Sequence, residues 1–158
     1  MSVRKAVIRR RNSGTTTIEA AFVLPVFIVF IFGLITIGHA QMISNMLKSS
    51  CRAAARYGST EGVTSAEVEA KCRQLLRPGV DPNLVTITVK NGGVYDSGGD
   101  APTSSQDFSD LDDIELSDAE PRQIFIVRAE VAYNDAAILS LPFMHGLMLR
   151  GTAITRHE

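Results

Sequence analysis

Between Ala20 and Ile37 the chain reads AAFVLPVFIVFIFGLITI, an almost wholly apolar run, and no acid, lysine or arginine occurs from Ala20 to Leu47. A bilayer demands such a run, because roughly 20 residues rising about 1.5 Å each cross a hydrocarbon core about 30 Å thick. The competing fate is a helix buried in a soluble domain, which would have to hide Phe22, Phe27, Phe30 and Phe32 on all sides. A chain of 158 residues has too little mass left to surround it. The run is therefore read as a single membrane span. What remains, about a hundred residues, suffices for one small domain and not for two.

In front of the span stand Arg4, Lys5, Arg9, Arg10 and Arg11, whereas all seventeen acids follow Gly14. Positive charge flanking a span is held in the cytoplasm, so residues 1–14 read as a basic leader and the C-terminal domain is expected across the membrane. The expectation is a single-pass protein of the cytoplasmic (inner) membrane, N-in and C-out. A secretory signal peptide cleaved after Gly38-His39-Ala40 is the alternative. Against it, the apolar region exceeds the usual length of about 7–15 residues and an acid, Glu19, stands at its threshold. The formal net charge of -1 conceals an uneven distribution. Without the leader, acids outnumber bases and the remainder is ill suited to general nucleic-acid binding.

Glu19 breaks the apolar pattern at its start. A carboxylate carried to the bilayer centre costs up to roughly 2.5–3.5 kcal/mol, so its place at the edge of a span implies a use. A basic leader, Gly14, four uncharged residues, Glu19 and then a span follow one another in the order of the type IV prepilin class, which this segment resembles. That resemblance implies a membrane aspartyl peptidase cutting between Gly14 and Thr15, and a Glu19 carboxylate that pairs with the new N-terminal amine of an adjacent subunit. Three further stretches sharpen it: Ile18-Glu19-Ala20-Ala21-Phe22-Val23-Leu24-Pro25, Phe32-Gly33, and Arg52-Ala53-Ala54-Ala55-Arg56-Tyr57-Gly58. Over about 12–58 the chain resembles the TadE-like family, minor pilins or pseudopilins of tight-adherence (Flp) pilus systems. Ala20 stands where that family usually carries an aromatic residue, which here appears at Phe22. The resemblance implies a structural subunit whose partners are the membrane, other pilin-like subunits, the prepilin peptidase and the pilus assembly platform.

Within the span, Pro25 removes a backbone hydrogen bond and is expected to kink or loosen the helix, which membrane helices tolerate. Gly33 and Gly38 do not make the four-apart glycine pair of a dimerisation motif. Beyond the span, Ile43, Met46, Leu47, Cys51 and Ala54 recur at helical intervals as one apolar stripe, with Lys48, Arg52 and Arg56 beside it. A helix unbroken from Thr15 to Tyr57 would be on the order of 65 Å long. Its stripe suits packing on neighbouring subunits, and equally a stalk that carries the domain.

Gly58 and Gly62 bracket a turn, after which Thr64-Ser65-Ala66-Glu67 predicts a capping box opening a second helix to about Leu76. Val68, Cys72, Leu75 and Leu76 form its apolar side, and Glu67 with Lys71 and Glu69 with Arg73 are supportive pairs four apart. The two cysteines, Cys51 and Cys72, fall one on each helix. Helices folded back on each other in an oxidising compartment would allow a disulfide worth roughly 3 kcal/mol. Two buried free thiols are the alternative, and sequence does not decide between them.

Leu84 to Lys90, Gln123 to Tyr133 and about Leu147 to Arg156 read as strands, the second with Arg128 and Glu130 on one face. Asn91 to Glu120 is rich in Gly, Ser and Asp, with nine acids and no base from Asp96 onward, and is expected as a solvated or flexible loop tacked down by Phe108, Leu111, Ile114 and Leu116. The apolar connection Ile138 to Met144 suits either a core-filling loop or contact with the helical arm or the membrane surface. These elements give an α+β fold: a long N-terminal transmembrane helix continuing into a small domain with a second helix and a three-stranded antiparallel sheet. The boundaries are a leader 1–14, a helix 15–57 and an extracytoplasmic domain 58–158 with the acidic loop at about 91–120.

Motifs for chemistry are missing from the sequence. His39, His145 and His157 lack metal-ligand spacing, and Asp110, Asp112, Asp113 and Glu115 lack the glycine and spaced ligands of an EF-hand loop. Ser140 and Asp135 near His145 are neighbours in sequence only. No nucleophile elbow, phosphate loop, zinc signature or cofactor motif occurs. The expectation is a non-enzymatic protein without metal or cofactor, and the runner-up to a pilin-like subunit is a single-span envelope protein whose outer domain binds a ligand or envelope component.

Overall fold

The computed structural model describes residues 13–96, 98, 105–137 and 146–158. The basic leader up to Asn12 and the apolar connection from Ile138, with Ser140 and His145, lie outside the described residues. Helix α1 runs from Ser13 to Gly58 and continues through Pro25. The chain divides into two compact units at Ile37 and Gly38, so the apolar part of α1 and the domain that follows are taken separately.

In the second unit, α2 spans Ser65–Leu76. The expected capping box is formed: the Thr64 hydroxyl accepts from the Glu67 backbone N–H at 3.3 Å, and the Glu67 carboxylate accepts from the Thr64 N–H at 2.9 Å. Two of the free donors that open any helix are thereby satisfied. Glu69 and Arg73 make the supportive pair at 3.5 Å. Three strands follow, β1 (Thr86–Asn91), β2 (Ile124–Ala132) and β3 (Met148–Arg156), each within two residues at either end of the span expected from the sequence. They form one antiparallel sheet with β2 in the centre. The register pairs Val89 with Val127 and Val127 with Ala153.

Because side chains alternate across a strand, that register sorts the sheet into two faces. Ile87, Val89, Phe125, Val127, Ala129, Val131, Leu149 and Ala153 share one face and are all buried. Onto this face come Ile43, Leu47, Cys51, Ala54 and Ala55 of α1 and Val68, Cys72 and Leu76 of α2, in one hydrophobic core. The stripe that suits packing on neighbouring subunits is thus consumed within the chain. Gly151 is where α1 comes closest to β3: a Cβ there would lie 2.6 Å from Lys48 N and 2.7 Å from the Leu47 carbonyl oxygen. Gly58 is hemmed similarly by Val68, Leu116 and Phe125.

The second face carries Thr86, Thr88, Lys90, Arg128, Glu130, Arg150 and Thr152. The described residues 105–120 of the acidic segment cover part of it, with more order than composition predicts. Within it, α3 (Ser105–Ser109) and a turn of 3-10 helix at Leu116–Asp118 form, and Phe108 and Leu116 are buried. Asp113 bridges to Lys90, with its carboxylate 2.8 Å from Lys90 Nζ. Lys90 Nζ also donates to the Leu111 carbonyl at 2.9 Å. A short helix α4 (Tyr133–Ala136) closes β2 and buries Tyr133.

Candidate membrane and assembly segment

Every large apolar side chain of α1 from Ile18 to Ile37 is exposed, Phe22 at 76 % and Phe30 at 62 % among them. Each such side chain forgoes roughly 1.5–3 kcal/mol of burial when left in water. Summed over this segment the penalty exceeds the roughly 5–15 kcal/mol by which a domain is stable, so these residues require an apolar surrounding. The one hydroxyl in the run, Thr36, donates to the Phe32 carbonyl at 2.8 Å, four residues back, as a polar group inside hydrocarbon must. This helix is long and apolar enough to cross a membrane.

Glu19 is exposed and lies at the N-terminal edge of this apolar surface, four residues and hence about one turn after Thr15. Gly14 and Thr15 belong to the same helix. The backbone therefore brings the three residues named from the sequence to one end of α1, with Glu19 as the acid nearest the apolar segment. Pro25 follows one and a half turns later without ending the helix.

The cysteines come together. Cys51 and Cys72 are both buried free thiols. The Cys51 thiol donates to the Gly151 carbonyl at 3.3 Å. Its direct interaction with the Cys72 sulfur, together with burial, pushes the Cys51 thiol well above the usual range for cysteine. The same contact with Cys51 moves the Cys72 thiol the other way, below its ordinary value, and both sulfurs are shielded from solvent while the domain is folded.

Three carboxylates of the acidic segment, Asp96, Asp113 and Glu115, are spent on protein groups. The Ser65 N–H, at the start of α2, donates to Glu115 at 2.8 Å, and the Ser65 hydroxyl donates to the Ile114 carbonyl at 2.7 Å. These backbone donors hold the Glu115 carboxyl below its ordinary value, the Ser65 N–H most of all. Asp96 pairs with Arg156 at 2.9 Å. On the sheet, the buried Arg128 lies 3.9 Å from the centre of the Phe108 ring and 3.7 Å from Glu130. Burial lowers the Arg128 guanidinium from its usual value, and the adjacent carboxylate and aromatic face offset part of that cost.

Sequence reasoning did not single out Gly151, Ser65 or the pairing of Arg128 with Phe108. A signal existed for Gly151, since a glycine inside an alternating strand marks a close backbone approach. The Arg128 contact joins residues distant in sequence and leaves no local trace.

A family model described as TadE-like protein matches residues 14–56. The match coincides with α1, agrees with the resemblance read from the sequence, and supports a pilin-like protein associated with a tight-adherence pilus. No curated protein and no solved structure matches the chain.

Proposed function

We propose, from the TadE-like character of residues 14–56, that this chain is a membrane-anchored structural subunit acting in assembly of a tight-adherence pilus or a related secretion or adhesion apparatus. The observation that carries the reading is the placement of Glu19 one turn after Thr15, at the head of a helical segment whose large apolar side chains, from Ile18 to Ile37, are all exposed. Cleavage between Gly14 and Thr15 by a prepilin peptidase frees an N-terminal amine. The Glu19 carboxylate of one subunit accepts that amine from the next, and an ion pair at the membrane edge sets the register between helices. The apolar face supplies the packing once the register is set. The protein acts by assembly rather than by chemistry, sits in the inner membrane with its domain outside the cytoplasm, and engages the pilus assembly platform.

Two measurements test this on the full chain in its own host. Intact mass and N-terminal sequencing of the membrane-extracted protein should give a chain beginning at Thr15. Co-purification of other pilin-like subunits should be lost in Glu19→Ala and retained in Glu19→Asp. A chain beginning at Gln41 would make the span a signal peptide. A monomer indifferent to Glu19→Ala would favour an envelope protein whose outer domain binds a ligand.

A further inference from the structure

We infer that the outer domain carries a head-to-tail contact between copies of this chain, in which the acidic segment of one copy docks in a basic groove beside β3 of the next. The inference rests on the assembly reading above and adds the surface through which the domains meet.

The groove lies between α1 and the edge of the sheet. It has a volume of about 460 Å³ and is lined by Arg52, Ala55, Arg56 and the run Thr152 to Thr155. Its basic wall extends to Lys48, since Lys48, Arg52 and Arg56 recur every fourth residue and project from one side of α1 about 6 Å apart. All three are exposed, and among the described residues none forms an ion pair. β3 itself pairs with β2 alone among the described strands, so its outer edge is open, with Ile154 at 48 % exposure. Open edges in a sheet invite a partner.

The matching surface is on the opposite edge. Asp112 stands beside the end of β1, where its carbonyl accepts from the Asn91 N–H at 2.9 Å, and Asp110 lines the same hollow with Asn91. Both carboxylates are exposed, and among the described residues neither has an ion-pair partner. The register places the two patches at one level, because Asn91 pairs with Phe125 and Phe125 pairs with Thr155. Acids therefore flank the sheet on the β1 side where bases flank it on the β3 side. A sideways translation brings one copy's acids to the next copy's arginines. Such a contact uses two different patches, does not close on itself, and repeats along a row. Its occupant is a second copy of this chain because the chain supplies both halves of the complementary charge.

The test is site-specific photo-crosslinking of the full-length protein in membranes of its host, with a benzophenone amino acid at position 154. The expected result is a two-copy adduct whose crosslinked peptide lies between residues 106 and 120 of the second copy. Raising the salt to about 0.5 M should lower its yield, since exposed charge pairs are screened. Arg52→Glu with Arg56→Glu should reduce the adduct at least tenfold, because like charges then face each other. Co-expression of that variant with an Asp110→Lys, Asp112→Lys chain should restore it in the mixed pair, which also shows that both variants fold. A salt-indifferent adduct, a peptide from another region, an adduct to phospholipid or to a different protein, or a mixed pair that fails to crosslink would overturn the inference. If Glu19-dependent co-purification persists in that case, this contact is wrong and the assembly reading stands. Loss of both refutes the assembly reading itself.

Discussion

Replacing Gly151 by alanine adds one methyl group at the point where α1 crosses β3. The new Cβ would sit 2.6 Å from Lys48 N and 2.7 Å from the Leu47 carbonyl oxygen, inside the 3.0 Å that real Cβ contacts essentially never cross. The obstructing atoms are backbone on both sides, so no rotamer change relieves the clash. Relief comes only by moving α1 away from the sheet by several tenths of an ångström, which loosens Leu47, Cys51 and Ala54 against Ala129 and Ala153 together. Overpacking typically costs about 1–3 kcal/mol, and a clash between two backbones belongs at the top of that range, near 3 kcal/mol. In a domain of about a hundred residues this lowers the melting temperature by roughly 10–20 °C. Thermal unfolding of the full chain in detergent, followed by tyrosine near-UV circular dichroism, measures it. The control is Gly33→Ala, on the same helix, where an added Cβ meets nothing within 4 Å. If Gly151→Ala melts within about 3 °C of the wild type, the close approach of α1 to β3 is not the constraint described and the reasoning fails.

Two further perturbations address the same domain. The thiols of Cys51 and Cys72 are in direct contact in the reduced fold, and in an oxidising compartment we expect them to be joined, closing a loop worth about 3 kcal/mol. Protein taken from its host under acidic quench and denatured should bind no maleimide until reduced, and two labelled thiols without reductant would show the pair stays free. Glu115 has a lowered carboxyl pKa in the folded state, so its contribution to stability is present above the unfolded value of about 4.3 and is lost as pH falls through the folded value. The stability difference between wild type and Glu115→Gln, from urea midpoints, should therefore shrink from about pH 5.5 to about pH 2.5. A difference that stays constant would mean the Ser65 contact does not govern the titration.

Local periodicity carried much of the fold. Thr64 and Glu67 at a spacing of three announced the start of α2, and the nearly continuous apolar run Ile124-Phe125-Ile126-Val127 within Gln123 to Tyr133 announced the strand that forms at Ile124–Ala132. The acidic segment was legible in part: Phe108 and Leu116, apolar side chains in a polar run, are buried as expected of tacking residues, whereas composition, which reports an average tendency, gave no sign of α3 or of the two carboxylates that found Lys90 and the Ser65 N–H. The candidate site divides the same way. Gly14, Thr15 and Glu19 are legible because their arrangement along one helix is a matter of counting residues. The basic groove is not, since Arg52 and Arg56 meet Thr152 to Thr155 only once the domain folds.

The sequence by itself determined the apolar segment, because roughly twenty apolar residues in a row have one solvent they can tolerate whatever the rest of the chain does. It also determined which residues could face inward on each helix and strand, since those periods are fixed by the backbone. Tertiary structure alone decided which partner received the stripe of α1, that two cysteines on separate helices share one pocket of the core, and that bases and acids stand on opposite edges of one sheet. Each of these depends on contacts between residues far apart in the chain, and such contacts form through the packing of whole elements rather than through any local preference.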